Sequence, residues 1–238
     1  MELTLNRISP ENQKNPPASM EGVVFGTVFS NHMFSMVWDD GMGWHDAEIK
    51  PYQPLVLDPS TIVLHYGQSS FEGLKAYRNP SGGINLFRPR ENFLRMNRTA
   101  QRMCLPELDI DFVLGALKQL LQEDSDWVPK EEGTSLYIRP TKLATQEALG
   151  LKVSSKYLFY IILSPVGPYY PIPRGSTPSK SSFPTSMSAP PRGASEKRKR
   201  QGTMPRATLL KNKLKLRVLP RFSGSMLLKE STSKKWVR

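Results

Sequence analysis

The sequence predicts a mixed α/β (α+β) domain over residues 21–170, preceded by a 20-residue N-terminal extension and followed by a basic, low-complexity tail at 171–238. Three observations support this division. Short apolar runs bounded by turn residues occupy the domain region, apolar residues recur at helical spacing between residues 89 and 123, and both signals cease after Tyr170. A chain of 238 residues is also long enough to bury a substantial core.

The strand-like segments are apolar or β-branched runs with turn residues beside them. Residues 23–25 and 33–38 are two such runs, and turns are predicted at 39–41 and 79–83. Residues 157–163 are apolar or aromatic throughout, which predicts a fully buried strand. We therefore expect a sheet rich in hairpins.

Two helices are predicted from the spacing of apolar residues. The first lies between residues 89 and 102, and the second over 111–123. Its apolar face consists of Phe112, Val113, Leu117, Leu120 and Leu121. Either Asp109 or Asp111 is a suitable N-cap for this second helix, because a carboxylate there can accept hydrogen bonds from free backbone N–H groups.

The last 68 residues differ in composition from the rest. They hold 17 of the 33 Lys and Arg but only two of the 21 acidic residues, so this stretch carries a charge of +15 and the first 170 residues carry −3. Pro, Ser, Lys and Arg fill residues 171–206 without periodicity, which favours disorder because little apolar surface is available for burial. At most a marginal helix is expected over 209–219.

The basic tail leaves a nucleic-acid-binding alternative open. Residues 197–200 are all Lys or Arg, a pattern that attracts phosphate. The tail has two Phe and one Trp, too few for base stacking, and no recognisable DNA-binding motif. The alternative is therefore a non-enzymatic remnant that binds nucleic acid non-specifically, and no specific nucleic-acid partner is expected.

Other features bear on metal binding and location. The single cysteine, Cys104, excludes an internal disulfide and favours a reducing compartment. His32, His45 and His65 lack metal-ligand spacing, so no metal site is expected. No apolar run approaches the roughly 20 residues that span a bilayer, which predicts a cytoplasmic protein without a membrane partner.

A series of short strings, in order, carries a resemblance to one enzyme family. The strings are FGTVFSNHM at 25–33, WHD at 44–46, LHYGQSSFEGLKAY at 64–77, LFRP at 86–89 followed by Asn92 and Arg95, DWVP at 126–129, GTSLYIRP at 133–140 and LSPVG at 163–167. Their order and spacing resemble the branched-chain amino-acid aminotransferases, which are pyridoxal-phosphate enzymes of fold type IV. The resemblance covers about residues 20–170, and it implies the small N-terminal domain of that class.

The resemblance implies roles for five residues. Arg95 matches the arginine that holds the cofactor phosphate, a role suited to a planar guanidinium. Phe25, Tyr66, Tyr137 and Arg139 match residues of the substrate pocket, where aromatic walls accept an aliphatic side chain and polar groups orient a carboxylate. The residues alone favour a solvated helix arginine at Arg95 and an ordinary alternating strand at 137–139, so the site roles rest on the resemblance.

The resemblance also implies a reaction. The intact family enzymes move the amino group of leucine, isoleucine or valine to 2-oxoglutarate with pyridoxal 5'-phosphate, and a homodimer is expected. A D-amino-acid aminotransferase or an aminodeoxychorismate lyase, relatives in the same fold class, is the enzymatic alternative.

The resemblance further implies a second domain that brings the lysine bonded to the cofactor, in a segment similar to Glu-Ala-Lys-x-Gly-Gly-Asn-Tyr-Ala-Ala-Ser. No such segment follows residue 170. Reading the codons of residues 195–207 one nucleotide earlier permits Gly-Glu-Ala-Lys-Thr-Ala-Gly-Asn-Tyr-Ala-Ala-Ser, and 221–228 and 232–237 permit further family-like strings in that phase. The single-codon residues Met204, Met226 and Trp236 all fit. We hypothesise a frameshift, and we expect the chain as written to lack the catalytic lysine and to be inactive.

Overall fold

The computed structural model describes residues 1–168 and the backbone of residues 200–201. The strands are β1 (Leu3–Leu5), β2 (His32–Asp39), β3 (Gly43–Pro51), β4 (Ser69–Phe71), β5 (Leu74–Arg78), β6 (Ile84–Leu86), β7 (Ser135–Ala144), β8 (Lys156–Val166) and β9 (Arg200–Gln201). The α-helices are α1 (Ile62–Tyr66), α2 (Pro89–Met103) and α3 (Ile110–Glu123). The predicted mixed α/β class is confirmed.

Within the described residues, one sheet of nine strands runs in the order β1-β3-β2-β8-β7-β4-β9, and β5 pairs with both β7 and β6. The long hairpins β2–β3 and β7–β8 are antiparallel. At its edge β1 runs parallel to β3, with Leu3 opposite Ala47. Residues of the N-terminal extension therefore contribute a strand to the domain sheet.

Helices α2 and α3 pack on one face of the sheet, as their apolar periodicity predicts. In α3 the buried face consists of Val113, Ala116, Leu117, Leu120 and Leu121. Asp109 is the N-cap, because its side chain accepts hydrogen bonds from the backbone N–H groups of Asp111 and Phe112. The structure thus decides between the two predicted capping residues.

The core lies between these helices and the inward-facing side chains of the central strands. Leu136 and Ile138 of β7 and Phe159, Ile161 and Leu163 of β8 are completely buried there. Each such side chain contributes about 1.5–3 kcal/mol through burial. The alternating residues of both strands point to the opposite face of the sheet, and that second face carries the candidate site.

The prediction of a fully buried strand at 157–163 is wrong in one respect. The segment lies in β8, but Leu158, Tyr160 and Ile162 are only half-buried. They lie on the face away from α2 and α3, which the helices cannot cover. A run of apolar residues therefore concealed a strand with two unlike faces.

The prediction of a strand at residues 23–25 is wrong. The chain turns there, with positive φ angles of 76° at Gly22 and 70° at Gly26. The backbone N–H and the hydroxyl of Thr27 both bond the carbonyl of Val24, whose side chain is 66% exposed. Glycines in the left-handed region reverse the chain, so this apolar run does not enter the sheet.

The strand prediction at 33–38 is confirmed within β2, and turns occur at both predicted positions, 39–41 and 79–83. Across the described residues, no helix is both long enough and apolar enough to cross a membrane. Apart from Arg200 and Gln201, whose backbone pairs with β4 as β9, the predicted disordered tail at 171–238 lies outside the described residues, as does the marginal helix at 209–219.

Candidate active site

A cavity of about 290 Å³ opens on the face of the sheet opposite α2 and α3. It is lined by Phe25, Gly26, Phe29, Tyr137, Arg139, Ile162 and Ser164. The β7–β8 register places Tyr137 opposite Ser164 and Arg139 opposite Ile162, so these side chains share one face. The cavity therefore brings together three of the five predicted site residues, namely Phe25, Tyr137 and Arg139.

Aromatic rings form the walls of this cavity and support its arginine. The rings of Phe25 and Tyr137 meet edge to face, with centroids 5.1 Å apart. The guanidinium carbon of Arg139 lies 4.3 Å from the centroid of Phe71 and 5.2 Å from that of Tyr137. Such cation–π contacts hold a guanidinium without using its N–H donors. The cavity thus combines apolar walls with a positive charge.

Two buried polar atoms at this cavity lack hydrogen-bond partners among the described residues, Arg139 Nε and Ser164 Oγ. An unpaired buried donor costs about 1–3 kcal/mol, so such atoms indicate a missing partner. The two atoms belong to adjacent strands and face the same space. A small anion such as a carboxylate can accept hydrogen bonds from a guanidinium and a hydroxyl together.

Arg95 projects from α2 into a separate cavity of about 320 Å³. This cavity is lined by Phe87, Arg88, Glu91, Asn92, Arg95 and Arg98. The Nε and Nη2 groups of Arg95 donate to the two carboxylate oxygens of Glu72, each at 2.6 Å. This hydrogen bonding raises the pKa of the Arg95 guanidinium above its ordinary value, despite partial desolvation. Arg95 is therefore a permanently charged, oriented cation.

Glu72 is the buried centre of this arrangement, with only 2% of its surface exposed. Besides Arg95, its Oε2 accepts hydrogen bonds from Asn92 Nδ2 at 3.3 Å and from the Gly73 N–H at 3.4 Å. Sequence reasoning assigned no role to Glu72, although the residue lies within one of the quoted strings. The only signal in the sequence was a carboxylate within an otherwise strand-like segment. Its partner, Arg95, lies 23 residues further along the chain.

Tyr66 lies apart from both cavities. It ends α1, where Gly67 adopts a left-handed φ of 58°. Its ring packs against the small cluster around Ile62, and its hydroxyl donates to the Leu149 carbonyl. Within the described part of the chain, Tyr66 therefore does not join the other predicted pocket residues.

Both ring nitrogens of His32 have structural partners. His32 is buried, donates from Nδ1 to Asp124 at 2.7 Å, and accepts at Nε2 from the Ile8 N–H at 3.0 Å. This pair ties the N-terminal segment to the end of α3. No group of three or more His, Cys, Asp or Glu residues suited to a metal ion occurs in residues 1–168.

Comparison with known proteins gives consistent sequence matches. No family model matches the chain. It is 54% identical over 158 residues to branched-chain-amino-acid transaminase 1 of Bacillus subtilis, a match covering 66% of this chain and 44% of that protein. It is 44% identical over 170 residues to the mitochondrial branched-chain-amino-acid aminotransferase of Saccharomyces cerevisiae, covering 71% and 43% respectively.

The N-terminal two-thirds of the chain is homologous to the branched-chain amino-acid aminotransferases. The predicted resemblance to these aminotransferases is thereby confirmed. The chain spans less than half the length of the aminotransferases it matches. Among solved structures, the branched-chain aminotransferase of Escherichia coli shares 23% identity at a TM-score of 0.41, with 56% of this chain and 41% of that chain covered.

Proposed function

We propose that this chain carries the phosphate-binding and carboxylate-binding half of the active site of a pyridoxal-phosphate-dependent branched-chain aminotransferase. The substrates would be leucine, isoleucine or valine, with 2-oxoglutarate as the amino acceptor. The observation that carries the proposal is the cavity in which Arg139 Nε and Ser164 Oγ lack partners beside the aromatic rings of Phe25 and Tyr137. That combination suits an amino or oxo acid with an aliphatic side chain.

The residues at Arg95 fit the phosphate of pyridoxal phosphate. Glu72 occupies the Nε/Nη2 edge of the guanidinium, and the Nη1/Nη2 edge still has donors for a second oxyanion. The neighbouring Arg88 and Arg98 add positive charge around the same cavity. When bound, the cofactor supplies a conjugated ring that delocalises the electrons released from the substrate Cα–H bond.

The residues of this chain would orient and neutralise the reactants. Arg139 would hold the substrate carboxylate, with Ser164 as a second donor. Phe25 and Tyr137 would enclose the aliphatic side chain and exclude water, which strengthens the charge interactions in the pocket. Tyr66 remains a predicted pocket residue, and the affinity of Tyr66→Phe for 4-methyl-2-oxopentanoate tests whether its hydroxyl contributes to binding.

Binding measurements test the proposal on the full chain. We expect pyridoxal phosphate to bind, with its affinity reduced about tenfold or more in Arg95→Lys, because lysine cannot reproduce the planar guanidinium. We expect 4-methyl-2-oxopentanoate, the oxo acid of leucine, to bind more weakly in Arg139→Lys. The matched control is Arg90→Lys, since Arg90 makes an exposed bidentate pair with Asp111. Equal affinities in all variants would refute the proposed site.

We also propose that the chain as written does not complete transamination, because the tail sequence lacks the family-like lysine segment. Borohydride reduction with pyridoxal phosphate, followed by mass analysis, is expected to give no stoichiometric lysine adduct. A single modified lysine would contradict this, and resequencing the codons of residues 168–175 would test the frameshift hypothesis independently.

A homodimer in the cytoplasm completes the proposal. The side chain of Val56 is 98% exposed, which leaves apolar surface for self-association to cover. The single cysteine supports a reducing compartment. Light scattering of the purified chain and fractionation of the source cells test these two points.

A further inference from the structure

Three consecutive residues, Phe71, Glu72 and Gly73, each contact a different member of the proposed site. They connect β4 to β5, and both strands pair with β7 in one continuous register, from Phe71 opposite Thr141 to Leu74 opposite Ile138. The Glu72 N–H bonds the Pro140 carbonyl at 3.0 Å, so the connection itself follows β7. The segment is therefore held along the strand that carries Tyr137 and Arg139.

Resting on the proposed function, we propose that Phe71, Glu72 and Gly73 form one positioning segment that sets the orientation of Arg139, Arg95 and Tyr137. Successive residues of an extended strand point to opposite faces of a sheet. Phe71 and Gly73 accordingly lie on the face that carries the cavity of Tyr137 and Arg139, and Glu72 faces helix α2. One short segment thereby couples the two cavities on which cofactor and substrate binding would depend.

Glu72 determines which edge of Arg95 is free. By accepting from Nε and Nη2, it fixes the guanidinium plane and leaves the Nη1/Nη2 edge for a phosphate. Its additional hydrogen bond from Asn92 keeps the carboxylate itself from rotating. A glutamine at this position would place an amide NH₂ against one of the Arg95 donors, so the paired hydrogen bonds could not both form.

Gly73 determines where the Tyr137 hydroxyl lies. A Cβ atom added at Gly73 would fall 2.2 Å from Tyr137 Oη and 2.9 Å from Cζ, distances at which the ring must move. Moving that ring would disturb its edge-to-face contact with Phe25. The absence of a side chain at Gly73 is therefore a requirement of the pocket wall, rather than of backbone conformation.

Phe71 supports Arg139 from the same face. Its ring centroid lies 4.3 Å from the Arg139 guanidinium carbon, closer than the Tyr137 ring at 5.2 Å. The contact holds the charge in place while Nε stays unpartnered among the described residues. Phe71 thus keeps the hydrogen-bonding edge of Arg139 available to a ligand.

The first test needs no cofactor. In the full chain at neutral pH, NMR should show a persistent Arg95 Nε–H signal, assigned by its loss in Arg95→Lys. We expect the signal to broaden or vanish in Glu72→Gln. The matched control is Glu123→Gln, which breaks the bidentate pair with Arg7 and should leave the Arg95 signal unchanged. An Arg95 signal that persists in Glu72→Gln would overturn the inference.

The second test is a double-mutant cycle on the affinity for inorganic phosphate. We expect about tenfold weaker binding in Glu72→Gln, and no further loss when Glu72→Gln is added to Arg95→Lys, because Glu72 acts through Arg95. The inference would be overturned if Glu72→Gln weakened phosphate binding equally in the wild type and in Arg95→Lys, or if the wild type bound no phosphate. If Glu72→Gln fails to fold, Asn92→Ala should weaken binding about twofold to threefold by the same route.

Gly73 is tested with 4-methyl-2-oxopentanoate. Gly73→Ala should weaken its binding about tenfold and leave phosphate affinity unchanged, and the difference should disappear in a Tyr137→Ala background. A loss that persists in that background would overturn the role assigned to Gly73.

If phosphate binds as expected and pyridoxal phosphate does not, the proposed cofactor fails and the positioning segment stands. If pyridoxal phosphate binds equally to wild type and Glu72→Gln, the segment fails and the proposed function stands.

Discussion

Lys142 on β7 offers a stability test that can be worked from the structure. Its side chain is completely buried on the helix-facing side of the sheet, where Nζ donates to the Pro106 carbonyl. Nζ also lies 5.7 Å from the centroid of the Trp44 ring. Desolvation dominates over the weak attraction of Glu107 and lowers the pKa of Lys142 from 10.5 to about 7. Folding therefore opposes protonation of this amine.

The sign of the pH dependence follows from proton linkage. Between about pH 7 and 10.5 the unfolded chain binds a proton at Lys142 that the folded chain does not, so the free energy of unfolding rises with pH. The maximum slope is about 1.4 kcal/mol per pH unit. The full penalty, present below pH 7, is of the order of 3–5 kcal/mol and disappears above the unfolded pKa.

The perturbation is Lys142→Met, which keeps a similar length and removes the charge. Urea denaturation of both proteins at several pH values between 6 and 9 should show the variant more stable at pH 6. The variant is less stable by about 1 kcal/mol at every pH because it cannot donate the hydrogen bond to Pro106. Its stability advantage over the wild type should be smaller at pH 9 than at pH 6 by roughly 2.7 kcal/mol. Lys156→Met is the matched control, since Lys156 lies on the adjacent strand with an exposed side chain. Parallel stability profiles for wild type and Lys142→Met would refute the reasoning.

Three further predictions concern single residues. Asp109→Ala should lower the free energy of unfolding by about 1 kcal/mol in urea denaturation, because the α3 cap is lost; an unchanged midpoint would contradict this. Asp124→Ala should cost about 3 kcal/mol by the same assay, because this buried carboxylate accepts two hydrogen bonds from His32, and a loss under 1 kcal/mol would contradict it. The hydrogen bond to Asp39 raises the pKa of His45. The contribution of protonated His45 to the free energy of unfolding is therefore complete below pH 6.5, and it is lost as pH rises through the folded pKa. Wild type should thus exceed His45→Gln in stability by about 0.5 kcal/mol more at pH 5.5 than at pH 8.5, and a constant difference would count against this assignment.

Helix α3 illustrates what local sequence information can predict. Its apolar residues recur every three to four positions, and a carboxylate precedes its first turn, so both its extent and its cap follow from interactions within a few residues. The sequence could not distinguish Asp109 from Asp111 as the N-cap of α3, because the two residues are only two positions apart. The observed helix begins at Ile110, which makes Asp109 the N-cap.

The run at residues 23–25 illustrates the opposite case. Its composition favours a strand, yet Gly22 and Gly26 take positive φ angles and bring Phe25 over Tyr137. Glycine permits such angles without requiring them, so sequence alone could not distinguish a turn from a strand. The resemblance predicted Phe25 as a site residue, but the sequence did not predict the turn that places it.

By itself, the sequence determined the mixed α/β class and the two long helices. Its resemblance to the branched-chain aminotransferases also identified Arg95, Tyr137 and Arg139 as candidate site residues. Only the tertiary structure decided that Glu72 occupies one edge of Arg95 and that Gly73 leaves space for the Tyr137 ring. The physical reason is the range of the interactions. Caps and periodicity act within a few residues, whereas the partners of Glu72 and Gly73 become neighbours only when the sheet and α2 have packed together.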